Sequence, residues 1–199
     1  MSASFQDLIQ ESTVLPRDFY SRPAIEVARD CLGKILVHGK TAGRIVEVEA
    51  YLGVDDRAAH AWRGVTDRTR VIFGEPGHAY VYFIYGMYEC LNFVAEPAGQ
   101  AGAVLIRALE PVAGIATMRR RRPTAKRDED IANGPGKLTL AMGITRKQNG
   151  ADLTASTLQV RSLRVEPAIE ILTTPRIGIT HCADWPLRFL IADNRFASR

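Results

Sequence analysis

The chain has 199 residues, 46% of them hydrophobic and 24% charged, with a net charge of +4. That length and balance suit one globular domain and exclude wholesale disorder or a fibrous architecture. Cys31, Cys90 and Cys182 are odd in number, widely spaced and never in a CxxC pair, which excludes a disulfide framework and predicts free thiols in a reducing compartment.

Asp7 and Glu11 interrupt the N-terminal stretch where a signal peptide needs an unbroken apolar run, and no apolar segment reaches membrane-spanning length. The expected location is cytoplasmic, in a bacterium the cytosol and nucleoid. Residues 1–14 are expected to be a flexible lead-in. The stretch from Pro23 to Cys31 predicts a helix, ended near Gly33 and followed by a strand. "GRIVEVEAYLG" alternates, so that Val46, Val48, Ala50 and Leu52 are expected on one face and Glu47, Glu49 and Tyr51 on the other.

"HAYVYFIYGMYECLNFVAE" predicts a hairpin with strands over 79–84 and 88–95 and a turn at 85–87. "GAVLIRALEP" reads as a buried strand, followed by a helix near Val112 to Arg121 that Pro123 stops. "GPGKLTLAMGI" reads as a turn and a helix, and short strands follow at "LQVRSL", "IEILTT", "RIGIT" and "LRFLI". The expected fold is a single compact α+β domain over 1–199: a mainly antiparallel curved β-sheet, flanking helices and a protruding β-hairpin.

Three features exceed the needs of a core. Tyr80, Tyr82, Tyr85 and Tyr88 put four of the six tyrosines within nine residues, and Tyr85 falls next to Gly86 at the predicted tip, where a large aromatic has little core to enter. It suggests a wedge into stacked bases. On "IVEVEAY", two carboxylates and a tyrosine share a face. They suit either a polar face in water or an acid in a cleft that stabilises an oxocarbenium-like sugar and takes a proton from water. From Arg107 to Arg127, seven Lys/Arg stand against Glu110 alone, and "RRRR" at Arg119 to Arg122 fits a solvated helix end or a polyanion contact. His38, His60, His78 and His181 lack metal-ligand spacing, and "GPGK" is no phosphate loop, because the glycine that pattern requires is Ile131.

Taken together, "GRIVEVEAYLG…AAH", "HAYVYFIYGMYECLN", "AVLIRALEP", "NGPGKLTLAMGI" and "IGITHCADWPLRF" resemble the alkyladenine (3-methyladenine, methylpurine) DNA glycosylases over roughly residues 15 to 192. The resemblance implies hydrolysis of the N-glycosidic bond of alkylated or deaminated purines (3-methyladenine, 7-methylguanine, hypoxanthine, ethenoadenine) flipped from double-stranded DNA. It implies Glu49, not Glu47, as the base that activates water; strand periodicity alone does not choose between them. Arg107 would lie near that water and the target phosphate, and the backbone carbonyl of Ile177 would help hold the water. Tyr51, Tyr82 and His60 would form the base pocket, Asn92 would crowd the 2-amino group of guanine, and Tyr85 would intercalate. Gly86, Met87, Arg68 and Lys137 would contact DNA. Water as the attacking group implies no lyase step, and neither metal nor organic cofactor is called for; a monomer without membrane contact is expected. The loop "AWRGVTDRTRVIF" departs from the "TPRN"-like stretch of similar sequences, placing Asp67 and Thr69 around Arg68, and "HCADWPLRF" is short.

Two other classes fit less well. A noncatalytic nucleic-acid module has no need of Glu49 beside Tyr51. A carbohydrate glycosidase needs acids flanking a bond, whereas Glu47 and Glu49 point the same way.

Overall fold

A computed structural model describes residues 5–84 and 86–198. The elements in chain order are α1 (Phe5–Gln10), β1 (Ser12–Val14), α2 (Arg17–Tyr20), α3 (Ala24–Cys31), β2 (Ile35–His38), β3 (Thr41–Tyr51), β4 (Ala79–Ile84), β5 (Tyr88–Ala95), β6 (Gly102–Ala113), α4 (Ile115–Arg121), α5 (Pro135–Met142), β7 (Leu158–Leu163), β8 (Ile171–Thr174) and β9 (Arg188–Ile191). The strands join in one antiparallel sheet of order β1-β7-β2-β3-β6-β5-β4, with β9 paired to β3 and β8 to β9. This is the α+β domain that the alternating segments predict.

Helix α3 forms where Ala24, Val27, Ala28 and Cys31 recur at helical spacing and bury one face. Its first free N–H, on Ala24, donates to Glu96 Oε1 at 2.7 Å. The main core packs α3, Met118 of α4, and Leu138 and Met142 of α5 against Val48, Phe93 and Ile106 of the sheet. A second cluster, of Tyr80, Val94 and Ala103 with Ala61 and Ile72, packs the loop between β3 and β4 onto the sheet.

The long pair β3–β6 is interrupted by three register shifts, one at Ala42/Gly43 and two opposed ones beside the acids: Ile45 pairs Leu109, Glu47 pairs Ala108 and Val48 pairs Ile106. Val46 is the extra residue on one strand and Arg107 on the other, a pair of β-bulges. The simple alternation expected for this strand therefore fails at Val46, which packs with Ala108 and Phe196 apart from Val48 and Ala50.

Other expectations are corrected. The face of Glu47 and Glu49 is not in water, since both side chains are fully buried. The helix before Arg121 begins only at Ile115, because β6 continues through Pro111 to Ala113 and Gly114 (φ +70°) makes the turn. A Cβ there would lie 2.3 Å from the Lys40 carbonyl oxygen. "RIGIT" forms no strand; residues 176–180 are irregular. Among the described residues, no helix is long and apolar enough to cross a membrane.

The arginine run is tied to its own fold. Arg119 pairs with Asp128 at 2.7 Å, Arg120 donates to the Thr117 hydroxyl, and Arg121 and Arg122 donate to the carbonyls of Ala141 and Ile131.

Candidate functional site: an aromatic cavity over a buried carboxylate

Strand register assembles the site. One row of paired residues crosses five strands as Tyr80–Asn92–Leu105–Glu49–Arg188, and neighbouring rows pair Tyr82 with Cys90 and Ala103 with Tyr51. Directly paired residues share a sheet face, so residues far apart in the chain meet on one floor. Above it lies a cavity of about 380 Å³, lined among others by Tyr51, His60, Tyr80, Tyr82, Cys90, Asn92, Leu105, Arg107 and Ile177.

Glu49 lies behind the cavity wall with no exposed surface. Its Oε1 accepts from the Ile177 N–H at 2.8 Å and lies 3.1 Å from Arg107 Nη1, while Oε2 accepts from the Tyr51 hydroxyl at 2.9 Å. Burial raises the Tyr51 pKa, and the Glu49 charge raises it further, so its hydroxyl keeps its proton and donates. Arg107 is buried at the bulge, which turns its side chain toward both acids. Burial opposes its charge, but Glu49 and Glu47 outweigh that and raise its pKa.

Glu47 has a different environment. It accepts from Arg107 Nε at 2.9 Å, Arg188 Nε at 2.7 Å, and the Ser198 N–H and hydroxyl at 2.5 and 2.7 Å. Burial alone would raise its pKa, yet these donors together hold it below the ordinary carboxylate value. Its bonds are spent on fold and on aiming Arg107.

The aromatic walls are interlocked. His60 meets Tyr82 edge-on with ring centroids 4.5 Å apart, and Tyr80 lies 5.4 Å from Tyr82. His60 Nδ1 is 3.0 Å from the Tyr80 hydroxyl, and Arg68 Nη2 is 3.4 Å from Nε2. Arginine only donates, so this contact puts the imidazole proton on Nδ1, facing Tyr80. Although His60 stands at the exposed rim, partial burial, followed by the Arg68 charge, lowers its pKa to about 4. Arg68 also lies over the Tyr82 ring, 5.3 Å from its centroid. Asn92 is 4% exposed and donates to the Tyr80 carbonyl at 3.2 Å.

The structure thus brings Glu49, Arg107, Ile177, Tyr51, His60, Tyr82 and Asn92 to one cavity, with Arg68 at its edge. Ile84 and Tyr88, at the ends of the hairpin strands, also line it; Gly86 and Met87 are exposed between them, Met87 by 66%. Tyr85 lies outside the described residues. Lys137 follows Gly136, which lines the cavity so closely under Tyr88 that a Cβ would lie 2.7 Å from that side chain; the ammonium donates to Asn133 at 2.8 Å. Sequence reasoning missed Tyr80 and Cys90 as walls, and the buried pair Asp56–Arg176, whose members are 120 residues apart in loops without periodicity. Among the described residues, no three His, Cys, Asp or Glu side chains are grouped to hold a metal ion.

Comparison with known proteins shows the family of the chain. Residues 18–195 match the family model described as methylpurine-DNA glycosylase. A protein of Methanocella arvoryzae is 56% identical over 182 residues, 88% of this chain and 89% of its own length. One of Methanoculleus marisnigri is 52% identical and one of Alkaliphilus oremlandii 49%, each covering 93% of this chain and 98% of the relative. All three are provisionally named 3-methyladenine DNA glycosylases. With a single family model spanning almost all of the chain, and relatives about half identical over nearly their full lengths, the protein belongs to the methylpurine-DNA glycosylase family.

Proposed function

We propose that the protein is a monofunctional base-excision glycosylase that acts as a cytoplasmic monomer on double-stranded DNA. It flips an alkylated or deaminated purine into the aromatic cavity and hydrolyses its N-glycosidic bond, leaving an abasic site. The observation that carries this reading is the Glu49 carboxylate, held by two hydrogen bonds and an ion pair directly behind an aromatic cavity. A volume of about 380 Å³ lies within the range of roughly 300–1,000 Å³ common to small-molecule sites.

A carboxylate offers about four lone-pair positions. Arg107 and Ile177 address Oε1, and Tyr51 takes one position on Oε2. The remaining Oε2 position accepts a proton from the attacking water while negative charge beside C1′ stabilises the oxocarbenium-like transition state. Arg107, fixed by both acids, faces the phosphate side of the target nucleotide, and the Ile177 carbonyl helps hold the water. The flipped ring stacks between Tyr51 and Tyr82 with His60 at its edge. A neutral His60 adds no repulsion to a cationic alkylated base. Asn92 crowds a guanine 2-amino group. Tyr85 fills the vacated stack, and Gly86, Met87, Arg68 and Lys137 contact the DNA around it. No lysine acts as nucleophile, so base release ends at the abasic site without strand cleavage.

The test is Glu49→Gln on a duplex carrying hypoxanthine, with strand breaks developed by hot alkali. Release should fall by about 10² to 10⁴-fold, the worth of a positioned general base, while DNA binding persists. Near-normal release by the variant would remove Glu49 from the mechanism.

A further inference from the structure

Three segments meet behind the cavity at a buried ion pair. The side chains of Arg176 and Asp56 have no exposed surface. Arg176 donates to Asp56 Oδ2 at 2.5 Å and Oδ1 at 3.0 Å, and to the Ala50 carbonyl at 3.0 Å. Asp56 also accepts from the N–H groups of Leu52 and Ala58 at 3.2 and 3.0 Å. The pair therefore ties the end of β3, where Ala50 separates Glu49 from Tyr51, to the loop leading to His60 and to the residue preceding Ile177.

The guanidinium has a second relation to the site. Its central carbon lies 4.6 Å from the centroid of the Tyr51 ring. Tyr51 lines the cavity and Arg176 does not, so the cation covers ring surface turned away from the cavity. The Arg176 Nε–H is buried and finds no acceptor among the described residues. An aromatic face attracts a cation through its quadrupole. A cation lodged behind the ring weakens the attraction of its other face for a second cation, and Asp56 offsets that effect. Stacking of a neutral ring is much less sensitive to it.

We infer that the Asp56–Arg176 pair is a positioning and selectivity device: it holds Glu49, Tyr51 and the Ile177 N–H together and, from behind Tyr51, sets how the pocket weighs cationic against neutral purines. The inference rests on the base-excision reading above. It makes Asp56 and Arg176 positioning residues, since neither reaches the cavity.

The readout is the ratio of single-turnover release rates for 7-methylguanine, which is cationic, and hypoxanthine, which is neutral, in otherwise identical duplexes. Both bases are assayed with the same preparation, so loss of folded protein cancels from the ratio. Asp56→Asn leaves the cation less compensated and should lower the ratio about two- to five-fold, the scale of a cation–π contact. The double variant Asp56→Leu/Arg176→Met removes both charges without leaving one buried and should raise the ratio by no more than that factor, because Asp56 already offsets part of the cation's effect. Arg176→Lys keeps the charge but loses the two-pronged contact; it should slow both releases together with little change in KM. Ratios unchanged within experimental error in Asp56→Asn would overturn the inference, whether or not the double variant folds, and would leave the pair a purely structural one. Release of neither base by the wild-type protein would refute the base-excision reading and this inference with it.

Discussion

Glu47→Gln separates the two carboxylates of β3 by what each one holds. Glu47 is fully buried and receives four donor contacts, from Arg107, Arg188 and both groups of Ser198. The two arginines are nearly as enclosed, with side chains 9% and 12% exposed. Removing one partner of a buried ion pair costs roughly 3–5 kcal/mol, because the remaining charge stays out of water. Glutamine retains one acceptor oxygen, which argues for about 3 kcal/mol, or a fall of about 6–12 °C in Tm for a domain of this size. The pH dependence has a definite sign. The folded-state pKa of Glu47 is depressed, so its contribution is fully present above the unfolded carboxylate value near 4.5 and is lost as pH falls through the folded value. The Tm difference between wild type and variant should therefore be largest near neutrality and shrink below about pH 4.5. Thermal unfolding followed by circular dichroism across pH 3–7 measures both quantities. A variant melting within a degree of the wild type, or a difference that widens in acid, would refute this account of Glu47.

Asn92→Ser removes the amide that the Tyr80 carbonyl holds in the cavity wall, and should increase release of undamaged guanine; unchanged discrimination against guanine mismatches would place selectivity elsewhere. Tyr85→Ser should lower the flipped population by about one to two powers of ten through lost stacking, with a smaller loss on an unpaired lesion; equal losses on paired and unpaired substrates would deny the wedge.

The hairpin was legible because alternation and a Gly-containing turn agree over β4 and β5, and the observed pairing of Ile84 with Tyr88 is what the turn length demands. The carboxylate strand was legible as a strand and as a candidate site, but periodicity did not say which acid serves it. Period two places Glu47 and Glu49 alike, and what separates them is the bulge at Arg107 and the distant donors Ile177, Arg188 and Ser198. Such contacts leave no local periodicity. "RIGIT" shows the opposite failure: β-branched residues suggest a strand, yet the segment instead supplies Arg176 to Asp56 and the Ile177 N–H to Glu49. Tertiary demand overrides propensity there.

The loop that departs from the "TPRN"-like pattern carries its own order, and Thr69 is its anchor. Thr69 is 3% exposed; its hydroxyl accepts from the Thr66 N–H at 2.8 Å, meets the Thr66 hydroxyl at 2.9 Å and donates to the Gly64 carbonyl at 3.0 Å. The turn so closed presents Arg68 to Tyr82 and His60. Thr69→Val keeps the branched shape and deletes only the hydroxyl, so its cost is that of leaving these partners unmet. Thr66 is exposed and Gly64 partly so, and water can replace some of what is lost, which argues for about 1–2 kcal/mol. If that loss falls on local opening, the open population of the loop rises about five- to thirty-fold. Trypsin cuts after arginine, and where reclosing is fast relative to cleavage its rate follows that population. Cleavage at Arg68 or Arg70 should accelerate by that factor at unchanged global Tm, and the KM for a lesion-bearing duplex should rise because Arg68 is no longer held at the pocket edge. Unchanged cleavage together with unchanged KM would show that the hydroxyl network does not hold the loop, and that Arg68 keeps its place through its contacts with Tyr82 and His60.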